Sequence, residues 1–426
     1  MANNTLSSIA EVTAGTSPKG EQINTIGAGI PFFQGSKEFG DLYPVALRHT
    51  EHPVRVAKKG DILVSVRAPV GEVNLASTDC AIGRGVMAVS PKDEADRNFI
   101  FYLLKNLKGN WDSMTSAGTV FENLSASTLR ELELPEGLPR SAIGDLLFTF
   151  DSRIRLNTER SKTLHLLAKS IFNSWFIEYQ PVVASNNPET MADSDLQFGT
   201  SFPSEFEDSP LGLVPSGWAV KSLFDCELEI ESGSRPKGGV SAFKSGIPSI
   251  GAESINGIGV FDFAKTKYVP EDFFENMRRG KPQDFDVMLY KDGGKPGEFK
   301  PRVGMFGLGF PFEKYAINEH VFSLRSRVLG QPYLYFFIEW KKTLDELRLR
   351  GIKAAIPGIN QQDVGTLLVA VPDKQVLGRF NELVQPMLEL ILSLSIESKH
   401  LAQLKDALMS RLYSGSLELP RDLVEA

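Results

Sequence analysis

The chain has 426 residues, a hydrophobic fraction of 42% and a formal net charge of −7, which indicates two or three soluble domains and excludes a single small one. No apolar run approaches the ~20 residues of a membrane span, and residues 1–12 lack the basic region and apolar core of a secretory signal. The cysteines Cys80 and Cys226 lie far apart and favour a reducing compartment over a disulfide framework. We therefore expect a cytoplasmic protein without membrane contact.

The negative charge is concentrated in one segment. Six acidic residues and no Lys or Arg fall between Pro181 and Gly217, whereas residues 48–108 hold ten basic and seven acidic residues. A basic face on a folded domain is compatible with this distribution. The net charge therefore does not exclude nucleic-acid binding.

The first 137 residues alternate short β-like runs with turns. Residues 62–66 and 86–89 are mostly apolar and predict strands, and residues 15–20, with two glycines and a proline, predict a loop. Residues 98–107 predict a short helix whose apolar side chains lie on one side, namely Phe99, Tyr102, Leu103 and Leu107.

A heptad pattern in residues 141–179 predicts a long helix with a partner along one face. Pro139 or Ser141 would begin it, and it should end before Pro181. The same stripe recurs 237 residues later, interrupted by Lys405. Either stripe alone would also fit an ordinary core helix. As the seam of a helix pair we expect Ile143, Leu147, Phe150, Ile154, Leu164, Ile171, Trp175, Phe380, Val384, Met387, Ile391, Leu394, Leu401, Leu408 and Leu412.

The second half of the chain repeats the first. Pro386 lies inside the second stripe and should kink that helix or delay its start, and Gly415 fits its end. Three strings of the first half have counterparts in the second, in the same order: Gly29-Ile30-Pro31 with Gly246-Ile247-Pro248, Asp61-Ile62-Leu63-Val64 with Asp286-Val287-Met288-Leu289, and residues 81–86 with residues 316–321.

These observations predict an α+β protein in which two repeated globular domains alternate with two long helices. The two halves can pair about a pseudo-twofold axis, with the helices as an antiparallel coiled coil and Ser161 and Ser398 near its middle. The expected segments are a first globular domain at 1–137, a first helix at 138–180, an acidic Ser/Pro-rich linker without periodicity at 181–216, a second globular domain at 217–371, a second helix at 372–414 and a tail at 415–426.

No catalytic, cofactor or metal site is predicted. Residues 83–88 fit a G-x-G-x-x-A dinucleotide pattern, but strand-like residues follow where that fold needs a helix. Asp292 with Glu298-Phe299-Lys300 could mimic a metal-dependent nuclease centre, although so short a pattern is common by chance. The five histidines show no metal-ligand spacing.

Arg and Lys residues near glycine turns recur in both globular segments. Singly they fit a solvated surface, but as a set they suit DNA, because Arg matches guanine in the major groove and Lys suits phosphate. Glycine turns also allow the backbone to approach a phosphate. The candidate DNA-binding residues are Lys19, Lys37, Arg48, Arg67, Arg84, Arg235, Lys237, Lys244, Lys291, Lys295, Lys300 and Arg302.

Two further strings carry a resemblance to a known family. The first runs from Gly60-Asp61-Ile62-Leu63-Val64-Ser65 to Arg67-Ala68-Pro69-Val70-Gly71, and the second from Glu207-Asp208-Ser209-Pro210-Leu211-Gly212 to Pro215-Ser216-Gly217-Trp218. With a heptad helix after each globular segment, nearly the whole chain resembles the specificity subunit of a type I restriction-modification enzyme.

The resemblance implies two target recognition domains, each reading one half of a split, asymmetric sequence in double-stranded DNA. It implies that the helices pair antiparallel, space the domains and dock two modification subunits. Those partners would bind S-adenosylmethionine and methylate adenine, and restriction subunits would add ATP- and Mg-dependent translocation and cleavage in host defence. The chain lacks an Asn/Asp-Pro-Pro-Tyr/Phe motif, which fits a non-catalytic role. Two alternatives stay open, a stand-alone nuclease or methyltransferase and a bivalent coiled-coil scaffold without a nucleic-acid role.

Overall fold

A computed structural model describes residues 4–67, 69–107, 124–185, 202–293, 298–352 and 357–424. Ala68, the candidate Lys295 and linker residues 186–201 lie outside these ranges. The chain divides into two compact units, a first unit of Met1–Arg155 with His400–Ala426 and a second unit of Leu156–Lys399. Among the described residues no helix is long and apolar enough to cross a membrane.

In the part of the first unit that the structure describes, the strands form two sheets. An antiparallel sheet has the order Ala10–Ala14, Val86–Pro91, Ile62–Ser65 and Val73–Leu75, and a mixed sheet has the order Ile23–Asn24, His49–Thr50, Ile30–Phe33, Cys80–Ile82 and Val56–Ala57. All four residues of the central strand Ile62–Ser65 are buried, which explains its unbroken apolar run. The short helices are Leu6–Ile9, Arg97–Asn106, Ala126–Arg130 and Arg421–Val424.

The described residues of the second unit form four sheets. The largest has the strand order Leu228–Ser232, Val321–Ser326, Val287–Tyr290, Val303–Met305 and Gly257–Ile258. The next has the order Lys267–Val269, Ile247–Ile250 and Ala316–Ile317. The other two are strand pairs, Ala219–Ser222 with Leu368–Val371 and Phe206–Ser209 with Gly212–Pro215. Its short helices are Gln180–Ser185, Glu271–Asn276, Gln331–Glu339, Lys341–Gly351 and Gln361–Gly365.

The repeat seen in the sequence extends to strand register. In the first unit Ser65 lies opposite Val86, and in the second Tyr290 lies opposite Val321. The parallel pairs agree as well, because Phe33 lies opposite Ile82 and Ile250 opposite Ile317. Loop residues that follow these strands can therefore be compared position by position between the two units.

The two long helices run over Arg140–Phe176 and Lys374–Tyr413. Pro386 lies inside the second helix, which begins twelve residues earlier, so the proline does not delay its start. The unit boundary falls within both helices rather than at their ends. In the first unit the reason is local: Tyr413 is buried in the core and donates a 2.7 Å hydrogen bond to the carbonyl of Phe99.

The short helix Arg97–Asn106 differs from its sequence prediction. We predicted one apolar side, but the six consecutive residues from Phe99 to Leu104 are all buried. Core residues of the sheet and of both long helices surround it. A Cβ atom on Gly144 would lie 2.3 Å from the amide nitrogen of Phe99, so glycine is what permits this close helix approach.

The linker predicted at 181–216 is partly ordered secondary structure. The antiparallel hairpin pairs Phe206–Ser209 with Gly212–Pro215. Gly212 has φ +95°, a value that favours glycine, and the hydroxyl of Ser209 accepts the amide of Leu211 at 3.1 Å. Turn chemistry thus produces a hairpin where the acidic composition alone indicated a featureless linker.

Candidate nucleic-acid interface

In the first unit three loops converge on a fourth, which carries Gly83-Arg84-Gly85. The amide of Gly83 donates to Phe33 O at 2.8 Å, and the amide of Val66 donates to Gly85 O at 3.0 Å. The amide of Arg84 donates to the hydroxyl of Ser17 at 3.2 Å. These backbone contacts bring together loops that carry four of the candidate basic residues, Lys19, Lys37, Arg67 and Arg84.

Two close approaches between these loops require glycine. A Cβ atom on Gly15 would lie 2.2 Å from Gly83 O, and one on Gly85 would lie 2.1 Å from the carbonyl oxygen of Gln34. Both distances are far below a van der Waals contact. The glycines predicted to let the backbone approach a phosphate therefore also hold the loops against one another.

The side chains of the five candidate residues of the first unit differ in their exposure and in their contacts. Lys19, Lys37, Arg67 and Arg84 are exposed. Arg48 is half-buried: it pairs with the carboxylate of Glu38, which is 5% exposed, and donates to Gln34 Oε1 at 2.8 Å. Its guanidinium also lies 5.3 Å from the ring centroid of Phe32. These contacts make Arg48 the most constrained of the five.

The second unit builds the same loop cluster around Asn318-Glu319-His320. The amide of Asn318 donates to Ile250 O at 3.0 Å, and the amide of Lys291 donates to His320 O at 3.1 Å. A Cβ atom on Gly233 would lie 1.6 Å from Ile317 O, so this loop is held as closely as its counterpart.

The charges of the second cluster are paired within it. Arg235 Nε lies 2.6 Å from Glu319 Oε1, and His320 Nδ1 lies 2.5 Å from Asp292 Oδ1. Lys291 Nζ lies 3.8 Å from Asp292 Oδ2. This surface is therefore mixed in charge, unlike the first cluster.

The remaining candidates of the second unit differ in exposure and in contacts. Lys237, Lys244 and Lys300 are exposed. Arg302 donates to Ala252 O at 2.6 Å and to Asn256 Oδ1 at 3.2 Å. Its guanidinium is thus partly committed to holding a loop.

Sequence reasoning missed one repeated string at these clusters. Residues 15–20 read Gly-Thr-Ser-Pro-Lys-Gly and residues 233–238 read Gly-Ser-Arg-Pro-Lys-Gly. The two strings occupy equivalent places, because the strands Ala10–Ala14 and Leu228–Ser232 that precede them pair alike with Val86–Pro91 and Val321–Ser326. A direct comparison of the two halves would have found it.

The aspartate suspected of holding a metal has another contact. Asp292 accepts from His320, and in the described part of the chain no group of three His, Cys, Asp or Glu side chains could hold a metal ion. The aspartates that begin the repeated strings at residues 61–64 and 286–289 have a local role. Asp61 Oδ2 accepts a hydrogen bond from the amide of Lys58 at 2.7 Å, and Asp286 Oδ2 accepts one from the amide of Gln283 at 2.9 Å. Burial raises the pKa of Asp61.

Comparison with known proteins shows what this chain is similar to. Residues 1–166 match the family described as type I restriction modification DNA specificity domain. The type I restriction enzyme MjaIX specificity subunit of Methanocaldococcus jannaschii is 24% identical over 96% of this chain and 92% of its own length. The chain is thus similar to a type I specificity subunit along nearly its whole length, and the family match itself covers residues 1–166.

Two further proteins are similar to this chain. The putative type I restriction enzyme MjaX specificity subunit of Methanocaldococcus jannaschii is 34% identical over 38% of this chain and 39% of its own length. The crystal structure of a type I restriction-modification system S subunit from M. genitalium has a TM-score of 0.55 at 18% identity and covers 96% of this chain and 95% of that one. The latter shows a shared fold.

Proposed function

We propose that each unit binds one half of a bipartite sequence in double-stranded DNA, as the DNA-recognition subunit of a type I restriction-modification system. One observation carries the proposal. Two units with the same strand register each assemble a loop cluster with exposed cations, around Gly83-Arg84-Gly85 and around Asn318-Glu319-His320. Repeated loops on equivalent strands suit two similar ligands, and two half-sites of one duplex are such ligands.

The long helices are proposed to form the spacer as an antiparallel coiled coil about a pseudo-twofold axis. Contacts inside each unit support the antiparallel direction. In the first unit Lys405 Nζ lies 2.5 Å from Asp151 Oδ1. In the second, Asn157 Nδ2 donates to Ser398 Oγ at 3.3 Å, and the rings of Trp175 and Phe380 are 6.0 Å apart.

Burial along the helices fits this seam. The predicted seam positions that are buried are Ile143, Leu147, Trp175, Phe380, Val384, Ile391, Leu394 and Leu412, and the half-buried ones are Phe150, Ile154, Leu164, Ile171, Met387, Leu401 and Leu408. None of the fifteen is exposed. A shared apolar face along both helices is what a helix pair requires.

Partners supply the chemistry in this proposal. The helices would dock two modification subunits, which would hold S-adenosylmethionine and methylate adenine, and restriction subunits would bring ATP- and Mg-dependent cleavage. The chain itself would hold no cofactor and catalyse no step. Its buried thiols, Cys80 and Cys226, fit the reducing cytoplasm proposed for it.

The test is duplex binding and the independence of the two half-sites. Full-length protein should bind duplex DNA with an affinity that falls steeply with salt. Replacing residues 1–137 with the recognition domain of another such subunit, in the assembled complex, should change one methylated half-site and leave the other intact. No binding to duplex DNA would favour a scaffold without a nucleic-acid role. Methylation by the pure chain that survives Asp292→Ala, or cleavage by the pure chain, would favour a stand-alone enzyme.

A further inference from the structure

Equivalent positions of the two loop clusters differ in charge. The hydrogen bonds from Val66 to Gly85 and from Lys291 to His320 occupy the same place in the two strand registers. Arg67 follows Val66 in the first unit, and Asp292 follows Lys291 in the second. Two residues of opposite charge therefore occupy equivalent positions.

The residues that precede the acceptors of these two hydrogen bonds also differ in charge. Arg84 precedes Gly85 in the first unit, and Glu319 precedes His320 in the second. Within the described ranges the guanidinium groups of Arg67 and Arg84 have no hydrogen bond or ion pair, so the first unit presents two free forks with five donors each.

In the second unit the residues at the positions of Arg67 and Arg84 are Asp292 and Glu319, whose carboxylates accept hydrogen bonds. Glu319 Oε1 is held 2.6 Å from Arg235 Nε, which fixes the orientation of the carboxylate. Glu319 Oε2 is buried and has no hydrogen-bond donor among the described residues. The carboxylate is therefore engaged within its own cluster, and no guanidinium stands at this position in the second unit.

At one position both units have the same basic residue. Lys19 and Lys237 both follow a proline in the repeated six-residue string, and both are exposed. The same side chain at equivalent backbone positions suits the phosphate, which all DNA sequences share. Different side chains at equivalent backbone positions suit the base edges, which differ between half-sites.

We propose that Arg67 and Arg84 select guanine in one half-site and that Lys19 and Lys237 bind phosphate in both. This assignment rests on the proposed function. Arg pairs with guanine O6 and N7. The two half-sites should therefore differ in base content as the two loop clusters differ in charge.

The experiment selects bound duplexes from a randomised pool with the full-length chain and sequences them. Arg67→Gln with Arg84→Gln should reduce guanine preference at one half-site about tenfold to a hundredfold and leave the other unchanged. Lys19→Gln with Lys237→Gln should keep the sequence preference, weaken binding, and flatten the slope of log affinity against log salt by about 0.9 per lysine.

Lys59→Gln is the matched control. Lys59 is exposed in the same unit but precedes the strand Ile62–Ser65, whereas Arg67 follows it; this variant should keep both base preferences. Should the double arginine variant melt below the wild type, the single variants replace it. Retained guanine preference in arginine variants that melt like the wild type overturns the assignment. The proposed function survives that result if the wild type still enriches a bipartite sequence, and falls with the assignment if it enriches none.

Discussion

Lys405 occupies a seam position of the second long helix and pairs there with Asp151 of the first. The two atoms, Nζ and Oδ1, lie 2.5 Å apart, and the side chains are only 9% and 12% exposed. Tyr102 Oη donates to the other carboxylate oxygen at 2.7 Å. The lysine that interrupts the heptad in the sequence therefore has a specific partner, and a polar seam pair of this kind can fix the register of two helices.

Lys405→Met should destabilise the first unit because it leaves Asp151 without its closest cation in a poorly hydrated site. We expect a loss of about 3 kcal/mol in the free energy of unfolding, measured by urea denaturation. The double variant Lys405→Met with Asp151→Leu should recover most of it, since an apolar pair fits the seam.

The control for this prediction is Lys162→Met. Lys162 pairs with Glu159 at 3.0 Å on the same long helix as Asp151, but both side chains are more than 60% exposed. Its loss should cost less than about 1 kcal/mol. Equal effects of the two lysine variants would mean that the seam pair contributes no more than a surface pair.

A disulfide can map the helix register in the second unit. We predicted Ser161 opposite Ser398 from the midpoint of the stripes, but the structure places Asn157, one helical turn earlier, against Ser398. Asn157→Cys with Ser398→Cys should therefore crosslink faster under mild oxidation than Ser161→Cys with Ser398→Cys, as judged on non-reducing gels after cleavage between the helices. Faster crosslinking of the Ser161 pair would support the sequence-based register instead.

Glu339 should make the second unit sensitive to acid. Its carboxylate lies 2.9 Å from His165 Nε2 and 3.1 Å from Lys169 Nζ. Burial raises its pKa, but the contacts with His165 and Lys169 outweigh burial, and the net pKa is lowered. A lowered folded-state pKa gives stability that is present above the ordinary pKa and lost as pH falls through the folded-state value.

Glu339→Gln should accordingly remove part of the stability difference between neutral pH and about pH 3. The measurement is urea unfolding across that range, followed by tryptophan fluorescence. Asp345→Asn is the matched control, because Asp345 and Arg348 form a half-exposed pair 3.4 Å apart on a nearby helix. An unchanged acid sensitivity in Glu339→Gln would show that other carboxylates govern it.

The long helices should set the distance between half-sites. One heptad inserted in each helix, between Asn157 and Leu164 and between Leu394 and Leu401, keeps the seam in phase and adds about 10.5 Å. At about 3.4 Å per base pair this is at most about three base pairs. The assembled complex should then methylate the same half-sites with one to about three more unspecified bases between them. Methylome sequencing that finds the original gap would mean that the helices only dock partners.

Periodicity and repetition in the sequence predicted the two long helices and the repeat of one half of the chain in the other. The helices run over Arg140–Phe176 and Lys374–Tyr413, close to the heptad stripes, because a regular apolar spacing is a local property of the chain. The repeat of residues 81–86 in residues 316–321 indicated corresponding strands, and the structure showed that their registers agree.

Tertiary structure alone decided which charges are free. Arg48 and Arg84 look alike in the sequence, yet Glu38 holds Arg48, while Arg84 remains unpaired among the described residues. The partner of Lys405 was equally hidden, because Asp151 is 254 residues away. Pairing of charges depends on contacts between distant segments, and these arise from packing that a local pattern does not encode.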